Sequence, residues 1–284
     1  MTETEKGIGI IGAGRLGHAI GARLAQRGHR PQLIHSRSER SAADLANAVG
    51  AERADSAAQV VTECWLTLLT VPDGDLAGVA EEIAGHSLLW SPLGSRVVAH
   101  CAGIHGTEVL RPCALAGASV GVIHPMAPVP DGNPACLEGA YASVDGDPEA
   151  VVELERLAGW IGLRPFRLSG ANRPLYHAAS VLAGVLPVLL EEMAERLARR
   201  AGAGPDSASG LRQLLALSGS NVARLGPIAA LSGASTRSDQ NTTARHLSAL
   251  EDVDPRLAEL YRSIFELADA GPARQFDQEG LRDG

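Results

Sequence analysis

The sequence predicts an N-terminal doubly wound α/β domain built on a parallel sheet, followed by an all-α C-terminal domain. Three observations predict it. Short apolar, strand-like runs alternate with helical periodicity through the first half. A glycine-rich turn sits between the first such run and the first helix. Beyond Pro174 the apolar positions recur at helical spacing with no further strand signal. The change of character near residues 165–174 divides the 284-residue chain into 1–170 and 171–284.

The elements follow in order. Gly7 to Ile11 reads as a strand. Leu16 to Arg27 reads as a helix, with Leu16, Ile20 and Leu24 on one face. Arg30 to His35 is the second strand and Arg40 to Val49 the second helix. Cys64 to Val71 is a strand and Asp75 to Ala84 a helix. Val97 to Cys101, Val120 to His124, Ala140 to Asp145 and Arg164 to Leu168 complete the strands, with a helix over Pro148 to Gly162. One long helix, Leu175 to Arg200, opens the C-terminal domain. Leu211 to Leu225, Thr243 to Leu250 and Pro255 to Ala270 follow, and Gly271 to Gly284 is a polar, frayed tail.

Composition excludes several classes. The net charge is -8 and Lys6 is the only lysine. Sequence-independent nucleic-acid binding, which needs clustered cations, is therefore not expected. Cys64, Cys101, Cys113 and Cys136 form no C-x-x-C pair and read as reduced thiols of a cytoplasmic protein. The N-terminus carries no signal-peptide pattern. The longest apolar stretch, Ala178 to Leu190, is too short to span a bilayer, so no membrane partner is expected.

The glycine-rich turn is Gly12-Ala13-Gly14-Arg15-Leu16-Gly17. This G-x-G-x-x-G follows a strand and opens a helix. Gly12 allows the tight turn, Gly14 lets a pyrophosphate approach the backbone, and Gly17 lets helix and strand pack closely. Free N–H groups at the helix start suit the phosphates. At the end of the second strand, NAD binders place a carboxylate for the ribose 2′-hydroxyl. Here Ser36, Arg37 and Ser38 stand instead, which suits a 2′-phosphate and predicts NADP(H), with Arg37 as main anchor. Thr70, Val71 and Pro72, at the carboxyl end of the third strand, either lie over the coenzyme or form an ordinary strand-to-helix loop.

Several segments together carry a resemblance. They are GIIGAGRLG, HSRSERS, TVPDGDL, HCAGIHGTEVL (100–110), GVIHPMAPV (121–129), NRPLYHAAS (172–180), NVARLGPIAAL (221–231) and LSGASTRSDQNTTARHLSAL (231–250). The chain resembles Rossmann-like proteins with a C-terminal helical domain of undefined function. Those are grouped with 6-phosphogluconate dehydrogenase-like and deazaflavin-dependent NADP-oxidoreductase-like folds. The resemblance implies a Rossmann domain, NADP binding and a helical domain that forms a homodimer. It implies no substrate. The chain departs from the expected pattern at Ser238, where glycine is usual, and near Gly184, where asparagine is usual.

Hydride chemistry also needs a proton donor or acceptor. Related dehydrogenases often use a lysine on the first long helix of the second domain, and this chain has none there. The candidates are His124, at a strand end before Pro125, His177 and Asp239. Tyr176, Asn221 and Arg237 are candidate substrate contacts. His124 also reads as a strand-end histidine bonded to backbone. Tyr176 and His177 also read as helix-start packing, and Asp239 with Arg237 as a structural ion pair. His100, inside a buried strand, reads as a core residue, and His246 as helix-face polarity. The expected activity is NADPH-dependent reduction of a small carbonyl or imine at the interdomain cleft. A non-catalytic NADP-binding sensor or assembly protein, or an NADP:deazaflavin oxidoreductase, stand as alternatives.

Overall fold

The computed structural model describes residues 7–90, 93–169, 172–231 and 240–269. The strands are β1 (Ile8–Ile11), β2 (Leu33–His35), β3 (Glu52–Arg53), β4 (Leu66–Leu69), β5 (Val97–His100), β6 (Ser119–Pro125), β7 (Tyr141–Gly146) and β8 (Arg164–Arg167). They form one sheet in the order β3-β2-β1-β4-β5-β6-β7-β8. Every neighbouring pair is parallel except β6 with β7, which run antiparallel. The chain leaves β1 toward β2 and β3, then returns to place β4 on the other side of β1. That reversal puts a crevice at the carboxyl ends of β1 and β4, where open α/β sheets bind ligands.

The helices of this sheet domain are α1 (Arg15–Gln26), α2 (Glu39–Val49), α3 (Ala57–Glu63), α4 (Leu76–Trp90), α5 (Arg111–Leu115) and α6 (Pro148–Ile161). Strand residues alternate between two cores. Ile8, Ile10, Leu66, Leu68, Val97, Ala99 and Ile123 bury with α1, α2 and α6 on one face. Ile11, Leu33, Leu69, Val98 and Val120 bury with α3, α4 and α5 on the other. Both faces are covered, which is why these parallel strands read as nearly continuous apolar runs. Ser38 and Ser56 cap α2 and α3 by accepting from backbone N–H groups. The four cysteines are free. Burial pushes the Cys64, Cys101 and Cys113 thiols up to about 12, so they are packing groups, not nucleophiles.

Helices α3 and α5 and the two-residue β3 carried no sequence expectation. Each is short, so its periodicity is too brief to read. The long helix expected over Leu175 to Arg200 is a helical run over Arg173–Arg200, interrupted at Val185 into α7 (Arg173–Gly184) and α8 (Leu186–Arg200). Pro187 explains the break. It donates no N–H, and its ring clashes with the carbonyl four residues back.

One compact unit runs through Val188 and a second begins at Leu189. The second contains most of α8, then α9 (Asp206–Leu225), α10 (Pro227–Ala230), α11 (Gln240–Glu251) and α12 (Pro255–Asp269). Glu195 of α8 accepts from Arg212 of α9 at 2.7 Å. Tyr261 of α12 lies 3.0 Å from His246 of α11. Among its described residues only Ala258 is buried, while Leu214, Leu217, Ile228, Leu231 and Leu267 are each more than half exposed. By length and composition, the 28-residue helical run Arg173–Arg200 is long and apolar enough to cross a bilayer. This corrects the sequence expectation, which counted only Ala178 to Leu190.

Candidate functional site

A cavity of about 500 Å³ opens at the switch point between β1 and β4. Gly12, Ala13 and Gly14 line it from the first turn, Ser36, Arg37 and Ser41 from the second, and Thr70, Val71, Pro72 and Asp75 from the third. Gly12 takes φ +112°, and a Cβ there would sit 2.7 Å from the Thr70 backbone. A Cβ on Gly17 would come within 2.1 Å of the Gly12 carbonyl oxygen. Gly14 differs: nothing lies within 4 Å of where its Cβ would be. Two of the three glycines are thus required by the protein's own packing. The third leaves space beside the backbone at the N-terminus of α1, where free N–H groups and the helix dipole favour an anion.

Thr70 locks this turn. Its hydroxyl donates to the Gly12 carbonyl at 2.6 Å, and its N–H donates to Ile11 at 2.8 Å. The remaining expected coenzyme contacts divide. Arg15 reaches away to the Pro130 carbonyl at 3.1 Å, and Leu16 packs on the core. Ser38 spends its hydroxyl on the α2 cap, accepting from the Ser41 N–H at 3.2 Å and the Ser41 hydroxyl at 3.0 Å. Ser41, one helical turn on, lines the cavity. Arg37 makes a two-pronged pair with Asp75, Nη2 to Oδ2 at 2.8 Å and Nη1 to Oδ1 at 3.3 Å. Asp75, Ser41, His35 and Glu82 were not singled out in the sequence. Only the fold brings the β4–α4 turn against the end of β2.

A second cluster lies further along the same sheet edge. Nδ1 of His124, at the end of β6, is 2.9 Å from the Tyr176 hydroxyl in the first turn of α7. The His124 and His177 rings meet edge to face at 5.8 Å. Gly103, in the loop after β5, is overlaid by both rings. A Cβ there would lie 2.6 Å from His177 Cδ2 and 2.8 Å from His124 Nε2. Burial, then His177, then Arg173 hold His124 down to about 4, with Asp73 partly opposing. At neutral pH His124 is therefore an uncharged ring that exchanges a hydrogen bond with a phenol.

His100 is wholly buried, as expected of a core residue. Its Nδ1 accepts from the Ala102 N–H at 3.1 Å, leaving Nε2 to donate to the Gly106 carbonyl at 2.8 Å. This one tautomer closes the loop that carries Gly103. Burial lowers its proton affinity, so it stays neutral as well. Arg173, which the sequence reading did not select, is 5% exposed and pairs with Asp145 at 3.3 Å. It places a fixed positive charge behind both histidines.

Asn221 is exposed on α9, accepting from Arg224 at 3.2 Å. Arg237 and Asp239 lie outside the described residues.

Residues 1–125 match a Rossmann-like domain model. Residues 140–267 match a domain of unknown function, DUF2520. No curated protein is similar enough in sequence to match the chain. Solved structures share the fold. A Bacteroides fragilis protein named as an NADP oxidoreductase aligns over 93% of this chain and 97% of its own, with TM-score 0.76 and 23% identity. A Thermotoga maritima protein, TM1727, aligns over 92% and 96%, with TM-score 0.70 and 20% identity. An imine reductase from Myxococcus stipitatus, solved with NADP+, aligns over 93% and 95%, with TM-score 0.67 and 16% identity.

Proposed function

We propose that this chain, a Rossmann-like domain joined to a DUF2520 domain, is an NADPH-dependent reductase of a small imine or carbonyl compound. The observation that carries the reading is the space beside Gly14 at the head of α1, continuous with a cavity ending at Arg37. A dinucleotide needs both: backbone room and N–H groups for the pyrophosphate, and a cation for the 2′-phosphate. The similarity to an NADP+-bound imine reductase supports the same choice.

Gly12, Ala13 and Gly14 would hold the pyrophosphate, with Arg37, Ser36 and Ser41 around the adenosine ribose. Val71 and Pro72 give an apolar wall. The coenzyme, when bound, supplies the hydride. The chain's own contribution is the proton. Because His124 is neutral, it is no cationic acid at pH 7. Tyr176 is the group that offers a proton to a substrate nitrogen or oxygen, and His124 orients that hydroxyl and relays its replacement. His177 and Gly103 hold the His124 ring in place.

The helical unit is read as a dimerisation surface. Its exposed leucines and isoleucines, Leu214, Leu217, Ile228 and Leu267 among them, are the apolar surface that a second copy would cover. Glu191, Glu192, Glu195, Arg196, Arg199 and Arg200 crowd the C-terminal end of the apolar run, which suits contact with protein better than with lipid.

The test is calorimetry with NADPH and NADH, followed by turnover with 1-pyrroline and with cyclohexanone plus an amine. NADPH binding and oxidation are expected. Arg37→Ala should weaken NADPH about tenfold or more and leave NADH little changed. No affinity for either nucleotide would overturn the reading. Binding without turnover across imines and carbonyls would leave a nucleotide sensor.

A further inference from the structure

The Arg37 guanidinium pairs with a carboxylate of the same cavity. Its fork meets the Asp75 carboxylate at 2.8 and 3.3 Å, the two-point geometry that a phosphate would otherwise take. The two partners are not equally free. Arg37 is 78% exposed on a long side chain, whereas Asp75 is 33% exposed. Asp75 sits in the turn Asp73–Asp75, its N–H donating to the Pro72 carbonyl at 2.9 Å, immediately before α4. The carboxylate is the fixed member, and it decides where the guanidinium rests.

The charge around the cavity points the same way. Among the described lining residues Arg37 is the one arginine, and Asp75 and Glu82 line the same cavity as carboxylates. A 2′-phosphate brings up to two negative charges to this wall. To hold it, Arg37 must release Asp75 or be shared with it, and either leaves a carboxylate close to the phosphate. A free 2′-hydroxyl meets no such opposition. It can donate to a carboxylate, as it does in NAD-binding sheets whose second strand ends in an acid. Here Ser36 and Arg37 follow the second strand, and the acid comes from across the cleft, 38 residues further along the chain.

We propose that Asp75 is the specificity-determining residue of the dinucleotide cleft, weakening its grip on a 2′-phosphate and giving a 2′-hydroxyl an acceptor, so that the site takes both NADPH and NADH. This rests on the reading of the cleft as a nicotinamide-dinucleotide site. Arg37 draws the phosphorylated coenzyme and Asp75 narrows its advantage.

The experiment is calorimetric titration of wild type, Asp75→Asn and Asp75→Ala with 2′,5′-ADP, 5′-AMP, NADPH and NADH. Thermal melting of each variant verifies the fold. In both variants 2′,5′-ADP and NADPH should tighten at least tenfold. 5′-AMP should be unchanged, and NADH should be unchanged or weaker. Wild type that binds these nucleotides, with variants whose NADPH-to-NADH affinity ratio stays within twofold, overturns the role of Asp75 alone. Wild type that binds none of the four overturns the reading of the cleft itself.

Discussion

The Tyr176 hydroxyl sits 2.9 Å from Nδ1 of His124, joining the first turn of α7 to the end of β6. The pair is built from two segments 52 residues apart. It is the one place among the described residues where a phenol meets a half-buried, neutral imidazole at the carboxyl edge of the sheet. Removing the hydroxyl alone tests its role. Tyr176→Phe keeps the ring packing and should lower kcat roughly 100-fold, the typical worth of a positioned proton donor. The Kd for NADPH should not move. Stopped-flow NADPH oxidation with 1-pyrroline measures the first, and calorimetry the second. Undiminished kcat in Tyr176→Phe removes the phenol from the chemistry.

Gly14 and Gly17 should separate binding from folding. Gly14→Ala meets open space and should melt within about 1 °C of wild type, corresponding to a surface-type effect of a few tenths of a kcal/mol. Its NADPH affinity should nevertheless collapse, since the methyl occupies the approach to the backbone. Gly17→Ala drives a Cβ toward the Gly12 carbonyl and should cost about 1–3 kcal/mol by overpacking. Thermal melts with and without NADPH distinguish the two. A Gly14→Ala protein with wild-type affinity would show that no ligand passes there.

The histidines set an acid limit on stability. His124 is held down to about 4, and His100 is lowered as well, both chiefly by burial. Unfolded histidine takes its proton near pH 6.5. Between about 6.5 and 4 the unfolded chain therefore binds more protons than the folded one, and stability falls as pH falls through that window. Above about pH 7 this contribution is constant. His124 accounts for on the order of 2–3 kcal/mol of the loss. Urea denaturation from pH 7.5 to 4.5 should show the decline, with a shallower one in His124→Asn. Parallel wild-type and variant curves would contradict it.

The apolar helical face predicts self-association. Leu214 and Ile228 are 60% and 69% exposed in the single chain. Sedimentation velocity at micromolar concentration should show a dimer. Leu214→Asp and Ile228→Asp, each placing a charge on that face, should shift it toward monomer. A wild-type monomer would mean that something other than a second copy covers these helices.

The sequence by itself determined the alternation of strands and helices, the doubly wound sheet and the glycine turn. These are local signals: period-2 and period-3.6 patterning, and φ values open to glycine at Gly12. It also determined that no lysine stands on α7. It did not show that the long helix is interrupted at Val185, two residues before Pro187, because apolar periodicity continues across that point. Nor did it show that Ser38 turns to its own helix cap while Ser41 faces the cleft. The tertiary structure alone decided the partners. Asp75 answers Arg37, and Tyr176 answers His124, because parallel strands carry residues far apart in the chain to one sheet edge. Charge and hydrogen-bond complementarity depend on distances of about 3 Å, which no spacing along the sequence encodes.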